Sequence, residues 1–448
     1  MKRLLMVSEK FPPFNVSGSA RPLYFAKYLP EFGYEPMVLA SSVAAGEERD
    51  DALLGELAAP VPVWRTPRLY SPWVARRRAR SGRGGGAASA GAANADADAA
   101  GAEREASGER AGARQALLSY LSWWAYWELD WALLATLAGW AHGRHALPDV
   151  IWVSAPPFRN CAVAYRLARW LNRPLVVDLR DPWTYGSLWR PKTERIASAE
   201  RAWARRVLAL AARVIFTSPL TLSAMHERFP ELRRERWLTI TNGFDDVSVS
   251  PLRGVPDDVC LFRYVGVLNE RRRPDVLISA FARAAEDPEF RATAALELIG
   301  NAGGHEHKVS LAPGCNVRFL GHVSRAESLR YAFGSDVNVL LQTISEGQDV
   351  VSGKAFDYLH ARKPMLAVVD EAGGDAWFVR ETGVGRIAPW SNVEGVGEAM
   401  RQCWLDFRAG RRGIAPGAAE KFSRRGLAGQ LARVLDDVLD GSTGLASP

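Results

Sequence analysis

Short apolar runs alternate with amphipathic stretches along most of the chain, and each run reads as a buried strand of a parallel sheet. Leu4 to Val7 is the first. A helix follows over about Ala20 to Phe32 with apolar residues at Leu23, Ala26 and Leu29; Gly33 stops it, and Pro36 to Ala40 begins the next strand. Lys10-Phe11-Pro12-Pro13 and Ser17-Gly18-Ser19-Ala20-Arg21 lie between the first strand and this helix. Strand, glycine loop, helix, strand is a mononucleotide-binding unit. The alternation resumes with strands at Asp149 to Val153, Leu175 to Val177, Val214 to Ser218 and Leu238 to Thr241, and with helices over about Asn160 to Leu171 and Lys192 to Ala212. Asp246 to Asp258 is polar and contains proline, as a domain boundary would be. Beyond it come strands at Leu261 to Val265, Leu296 to Gly300, Val317 to Gly321, Val337 to Leu341 and Met365 to Val369, and helices over about Pro274 to Ala285 and Arg325 to Phe333. About Ala418 to Leu439 reads as an amphipathic helix that packs back across both domains. The pattern predicts an α/β protein with two similar sheets.

Two stretches break the pattern. Residues 76–114 begin basic, with Arg76, Arg77, Arg78, Arg80 and Arg83, and Ala87 to Gly112 is almost entirely Ala, Gly, Ser and scattered charge. Such a composition buries no core, so a flexible insertion without a catalytic role is expected. Residues 115–143 then read as one Trp-rich helix, with Tyr120, Trp124, Trp127 and Trp131 along one face and Trp123, Tyr126 and Trp140 adding aromatic area. Glu128 and Asp130 near its middle argue against a transmembrane span, because a charge there costs roughly 2.5–3.5 kcal/mol. Two compatible readings remain. The aromatics pack as core against the first domain, or the helix lies at a membrane interface beside the preceding arginines.

Composition narrows the class. A chain of 448 residues is too long for one ordinary core and long enough for two. Cys161, Cys260, Cys315 and Cys403 lack paired spacing, which fits a reducing compartment and neither a disulfide framework nor a zinc site. The apolar start is cut short by Glu9 and Lys10, so it reads as a strand rather than a signal peptide. A net charge of +7 suits solubility, anionic substrates or an anionic membrane face, and no nucleic-acid signature accompanies it. His305-Glu306-His307 and the pair His142 and His145 have loose ligand-like spacings without a third ligand, so no metal site is expected.

The candidate chemistry lies at the ends of predicted strands. Asp349 and Asp357 stand eight residues apart around Ser352-Gly353-Lys354, just before the strand at Met365. A helix opening with Ser-Gly-Lys offers free N–H groups, a positive dipole end and a full charge to an anion. Asp357, about one turn further on, suits an acceptor for sugar or ribose hydroxyls. The bland reading is an ordinary cap on a solvated helix. Asp178-Leu179-Arg180-Asp181-Pro182-Trp183 falls at the C-terminal end of a strand, where open α/β sheets bind ligands; a salt-bridged strand end, with Arg180 locking Asp178 or Asp181, is its bland counterpart. Arg271, Arg272 and Arg273 follow a strand and Gly266, and could grip a diphosphate, although at least one of them reads as part of a solvated basic turn. Gly18 would let a loop approach a phosphate or sugar. The loop is not a G-x-G-x-x-G fingerprint, which counts against a nicotinamide enzyme.

Taken in order, Pro12-Pro13 with Gly18, Asp178 to Trp183, Asn242-Gly243-Phe244-Asp245, Gly266 with its basic turn, and Gly353-Lys354-Ala355-Phe356-Asp357-Tyr358-Leu359 resemble the retaining glycosyltransferases of family 4, in the branch acting on surface polysaccharides. The resemblance covers nearly the whole chain apart from the insertion. It implies the GT-B fold: two Rossmann-like domains, 1–245 for the acceptor and 258–425 for the nucleotide-sugar, facing a central cleft, with 426–448 crossing back as helix and tail. It places the family's paired glutamates at Asp349 and Asp357, one methylene shorter, and the phosphate-binding basic pair in the Arg271–Arg273 cluster. Val267 stands where an arginine often follows the glycine, and Arg180 stands where many members carry histidine. By this resemblance Asp181, Arg180, Lys354 and Asp349 are catalytic, and Gly18, Asn242, Gly266, Arg271, Arg272, Gly353, Lys354 and Asp357 bind the substrates. The reaction implied is front-face transfer with retention, without enzyme nucleophile, metal or other cofactor. The partners implied are a nucleotide-sugar donor and a glycan or lipid-linked acceptor, in the cytoplasm or peripherally on the inner face of the plasma membrane. A sugar-nucleotide epimerase and a non-catalytic GT-B protein binding a glycan or partner enzyme are the competing readings.

Overall fold

Parallel strands covered by helices on both sides must be apolar on both faces, and the strands of this chain are. Leu4 to Val7, Val150 to Ala155, Cys260 to Val265 and Met365 to Val369 are buried along their whole lengths. The computed structural model describes residues 1–44, 46–57, 60–69, 113–186, 189–304, 316–343, 349–414, 417 and 419–441. The arginines Arg76 to Arg83, the Ala/Gly run Ala87 to Gly112, His305 to His307 and Cys315 lie outside the described residues.

The chain divides into two units, Met1–Ile240 with Ala428–Pro448, and Thr241–Leu427. In the first, the elements run β1 (Lys2–Val7), α1 (Ser17–Tyr28), β2 (Tyr34–Ser41), β3 (Val63–Thr66), α2 (Ala113–Trp124), α3 (Leu133–His145), β4 (Val150–Ala155), α4 (Arg159–Leu171), β5 (Leu175–Leu179), α5 (Glu194–Leu210), β6 (Arg213–Phe216), α6 (Pro219–Arg228) and β7 (Trp237–Thr239). In the second they run β8 (Cys260–Val265), α7 (Asp275–Ala284), α8 (Pro288–Thr293), β9 (Ala294–Ile299), β10 (Val317–Leu320), α9 (Arg325–Phe333), β11 (Val337–Leu341), α10 (Gly353–His360), β12 (Met365–Val369), α11 (Gly374–Thr382), β13 (Gly385–Pro389) and α12 (Val393–Arg408). Helix α13 (Arg424–Leu439) starts in the second unit and ends in the first.

The first sheet has the order β3-β2-β1-β4-β5-β6-β7 and the second β10-β9-β8-β11-β12-β13, all pairs parallel. Each order reverses once, at β1/β4 and at β8/β11. At such a switch the connections leave in opposite directions and open a crevice beyond the strands' C-terminal ends. Those ends are Val7 and Ala155 in one sheet, Val265 and Leu341 in the other. Strand β3, at one edge of the first sheet, and the elements α8, α11, β13 and α12 are not among the predicted ones.

The Trp-rich segment is helical throughout but does not keep one face. Residues Ala125–Ala132 form a π-helical stretch between α2 and α3. Its wider turn shifts the helical phase, so Trp127 and Trp131 point into the core while Trp124 is exposed. The expectation of one aromatic face over Tyr120, Trp124, Trp127 and Trp131 is therefore corrected. Trp131 and Ala135 join the core against β1, β2 and α4 residues such as Leu39 and Leu167. A Cβ on Gly139 would come within 2.8 Å of both Leu39 and Leu167, so α3 lies closer on α4 than any larger residue allows. Glu128 pairs with Arg166 at 2.7 Å and Asp130 with Arg159 at 2.8 Å, both inward. Among the described residues no helix is long and apolar enough to cross a membrane.

Candidate functional site

The second unit gathers its predicted residues at the switch between β8 and β11. Ser352 ends the loop in an extended conformation and α10 begins at Gly353, which is exposed with open space around it. The first N–H groups of α10 thus face outward, as an anion site requires. Lys354 turns back over the end of β8. Its Nζ donates to Tyr264 Oη at 2.9 Å, and Tyr264 Oη donates to Val267 O at 2.9 Å. Gly266 makes this possible: it takes φ +151°, and a Cβ there would stand 1.9 Å from Lys354 Nζ. Gly266 therefore gives room to a cation of the protein itself.

The loop after Gly266 is fixed through its backbone. Arg271 N donates to Asn269 Oδ1 at 3.0 Å, Thr343 N to Arg271 O at 2.9 Å, and Arg273 N to Thr343 Oγ1 at 3.1 Å. Thr343 follows β11, so the basic loop is tied across the switch. Arg273 is exposed and faces Asp275 at 4.0 Å, as one arginine of a solvated turn would. The side chains of Arg271 and Arg272 have neither hydrogen bond nor ion pair among the described residues. Burial, and after it the charge of Arg272, pull the Lys354 ammonium down to about 7. Asp375 and Asp357 act on Lys354 only through space, and among the described residues no carboxylate comes into ion-pair range of Lys354 or Arg272.

Asp375 at the start of α11 was not read from the sequence. It is buried, accepts from Ser352 N at 2.8 Å, and is held above the usual carboxylate range by that burial. It fixes the last residue before α10. A Gly-Gly-Asp ahead of a helix is a cap pattern, and that was the only sequence signal for it. Tyr264 carried none, since an aromatic in a strand reads as core.

The two expected hydroxyl acceptors differ. Asp357 is held by Arg325 of α9 through two bonds of 2.5 Å, a partner not read from the sequence. One lone pair on each oxygen stays available, which lets Asp357 accept hydroxyls only in the orientation Arg325 sets. Asp349 is half-buried, with its backbone carbonyl against Gly374. Asn242, read as closing the first domain, belongs to the second unit. Its neighbours are fixed there: Phe244 N donates to Phe422 O at 3.2 Å, and Arg424 pairs with Asp245 at 2.9 Å. Phe244 stacks on His360 at 4.9 Å, at the C-terminal end of α10, away from Lys354.

In the first unit the predicted residues meet at the ends of β1, β4 and β5, with the roles rearranged. Asp178 is locked by Arg21 of α1 rather than by Arg180, through a buried ion pair of 2.8 Å. Arg21 also donates to Tyr24 Oη and Ile240 O, each at 2.8 Å. Arg180 Nη1 donates to Gly18 O at 2.7 Å and Nη2 to Pro156 O. One guanidinium thus ties the first turn of α1 to the loops after β4 and β5, and a Cβ on Gly18 would approach it to 2.9 Å. Gly18 makes room for Arg180, and Arg180 holds these segments together while its Nε stays buried without a hydrogen-bond partner among the described residues. Asp181 differs from its neighbours. It is half-buried, it has no hydrogen bond or ion pair among the described residues, and burial raises its carboxyl above the usual range. Trp183 beside it is fully buried and stacks on Phe158 at 4.9 Å.

Among the described residues no three acidic, histidine or cysteine side chains converge as metal ligands. Cys161, Cys260 and Cys403 are buried free thiols.

A model of glycosyltransferase family 4 matches residues 93–247. No curated protein matches the sequence. Among solved structures, sucrose-phosphate synthase of Thermosynechococcus elongatus superposes with a TM-score of 0.63 at 14% identity, covering 98% of this chain and 100% of that one. HepE of Anabaena in complex with UDP-glucose gives 0.59 at 15%, covering 98% and 100%. The α,α-trehalose-phosphate synthase of Burkholderia xenovorans in complex with glucose-6-phosphate gives 0.60 at 13%, covering 97% and 100%. The resemblance to family 4 stands, and the GT-B fold it implied is the fold of this chain.

Proposed function

We propose that this glycosyltransferase of the GT-B type moves a sugar from a nucleoside diphosphate sugar to an acceptor hydroxyl with retention of configuration. The observation that carries the reading is Lys354 at the open N-terminus of α10, with the charge of Arg272 acting on it and no carboxylate in ion-pair range of either among the described residues. A donor diphosphate supplies the missing charge. Arg271 adds a third cation, and the N–H groups of α10 receive the phosphate oxygens. As the bond between the anomeric carbon and the diphosphate oxygen breaks, negative charge grows on that oxygen, and Lys354 and Arg272 stabilise it. The acceptor oxygen forms the new bond on the same face and its proton passes to the leaving diphosphate. Asp181 is the carboxylate placed to orient the acceptor. Asp357, oriented by Arg325, takes hydroxyls of the donor. The cationic side chains do the charge neutralisation that a divalent ion would otherwise do, so turnover persists in a chelator. Work on surface glycans belongs to the same reading and follows the family branch.

The test is transfer from UDP-glucose and from the corresponding GDP, TDP and ADP sugars, followed by the anomeric configuration of the product. Lys354→Ala lowers kcat by about a hundredfold or more, the scale of removing one preorganised stabiliser of developing charge. An inverted product overturns the front-face step. Turnover that survives Lys354→Ala overturns the placement of the donor.

A further inference from the structure

The helical segment from 117 to 140 buries one side and leaves the other bare. Leu117, Leu121, Trp124, Leu129, Leu133, Leu137 and Trp140 are between 37% and 49% exposed. Their spacings of three and four residues widen to five only across the π-helical stretch, so they stay in one stripe. At 1.5 Å per residue the stripe is about 35 Å long and one or two side chains wide. Scattered exposed leucines are ordinary; a continuous stripe of this length marks a contact surface.

The acids of the segment itself are turned inward, and exposed Glu194 at the start of α5 is paired with Arg201. Residues 117 to 140 contain two acids, Glu128 and Asp130, and both are turned inward onto Arg166 and Arg159. Glu200 of α5 is likewise turned inward, accepting from the indole N–H of Trp123 at 2.9 Å. The cations remain outside. Exposed Arg195 of α5 covers the Tyr120 ring at 4.3 Å, and exposed Arg144 covers the Trp140 ring at 5.0 Å. Exposed Arg169 and Trp170 lie on α4, the helix on which α3 packs.

We propose that this face is a docking surface for an anionic lipid bilayer, with the helix lying in the interface plane. A long apolar stripe with aromatics along it and arginines at both ends matches such a plane. A protein partner would have to offer a long complementary groove. The inference concerns the first unit and does not depend on the donor reading, because it is tested by binding alone.

The experiment is flotation of the full chain with phosphatidylcholine vesicles, with and without about one-third phosphatidylglycerol. The chain floats with the anionic vesicles and much less with the neutral ones. Leu121→Asp with Leu133→Asp and Leu137→Asp lowers the bound fraction by about tenfold or more, since each lost leucine burial is worth roughly a factor of ten. These positions are exposed, so the fold tolerates them, and an unchanged melting transition verifies this. Arg144→Glu with Arg195→Glu lowers binding to anionic vesicles several-fold and leaves the neutral ones unchanged. Absence of binding to anionic vesicles overturns the proposal. So does a self-associated or protein-bound form that the leucine variants dissolve, which would assign the face to a second copy or a protein partner.

Discussion

At the scale of single residues, the two predicted glycines show how a correct position can hide a different role. Gly18 and Gly266 each follow a first strand, where a glycine usually admits a ligand. Here each admits a side chain of the protein: Arg180 at Gly18, Lys354 at Gly266. The chain uses the missing Cβ to bring a cation onto its own backbone. At Gly18 that cation is spent on carbonyls, whereas at Gly266 it keeps its charge available. The consequence is a pH effect. Lys354 is depressed to about 7 by burial and by Arg272, so the free protein loses that charge as pH rises through 7. A bound diphosphate favours the charged form and raises the value again. Affinity for UDP-glucose is therefore flat below about pH 6 and falls by up to tenfold per unit above 7, until the raised value is reached. Calorimetry at pH 8.5 in buffers of different ionisation enthalpy reads uptake of close to one proton on binding, and Lys354→Met abolishes it. The spacing of Lys354, Asp349 and Asp357 was legible in the sequence. The partners Tyr264, Arg325 and Asp375 were not, since they come from strands and helices far along the chain.

At the scale of elements, the strands were legible because parallel strands are apolar on both faces and short. Helix α9 (Arg325–Phe333) and strand β11 (Val337–Leu341) fall where the pattern put them. A Ser324–Glu327 capping box fixes where α9 starts. The Trp-rich segment was legible as helix but not in its facing. Periodicity assumes a constant turn, and the π-helical stretch at Ala125–Ala132 changes it. The small residues Ala135, Gly139 and Gly143 then decide the buried side. Gly139→Leu overpacks the α3–α4 contact and is expected to destabilise the first unit by about 1–3 kcal/mol. Leu137→Ala, two residues earlier on the exposed side, stays within about 0.5 kcal/mol. Thermal melts of the two variants distinguish the faces.

At the scale of the whole molecule, each unit carries its own switch point and its own group of polar residues. The donor groups proposed for the second unit all come from residues between Tyr264 and Asp375. A nucleotide sugar is accordingly expected to slow amide hydrogen exchange at Gly266 to Arg272 and at Ser352 to Tyr358, while β1, β4 and β5 of the first unit exchange as before. Protection appearing first in the first unit would contradict the assignment of donor and acceptor.

The sequence by itself determined the alternation of strands and helices, the presence of two similar halves, and which loops carry charge. Those follow from local rules: periodicity, glycine and proline punctuation, and the cost of burying charge without a partner. Only the tertiary structure decided which charge is spent and which is free. Arg21 rather than Arg180 locks Asp178, Arg325 holds Asp357, and Lys354 feels the charge of Arg272 with no carboxylate in ion-pair range of either among the described residues. The physical reason is that ion pairing depends on distance in space. Sheet order sets that distance by bringing β8 beside β11 and β1 beside β4, and separation along the chain does not carry it.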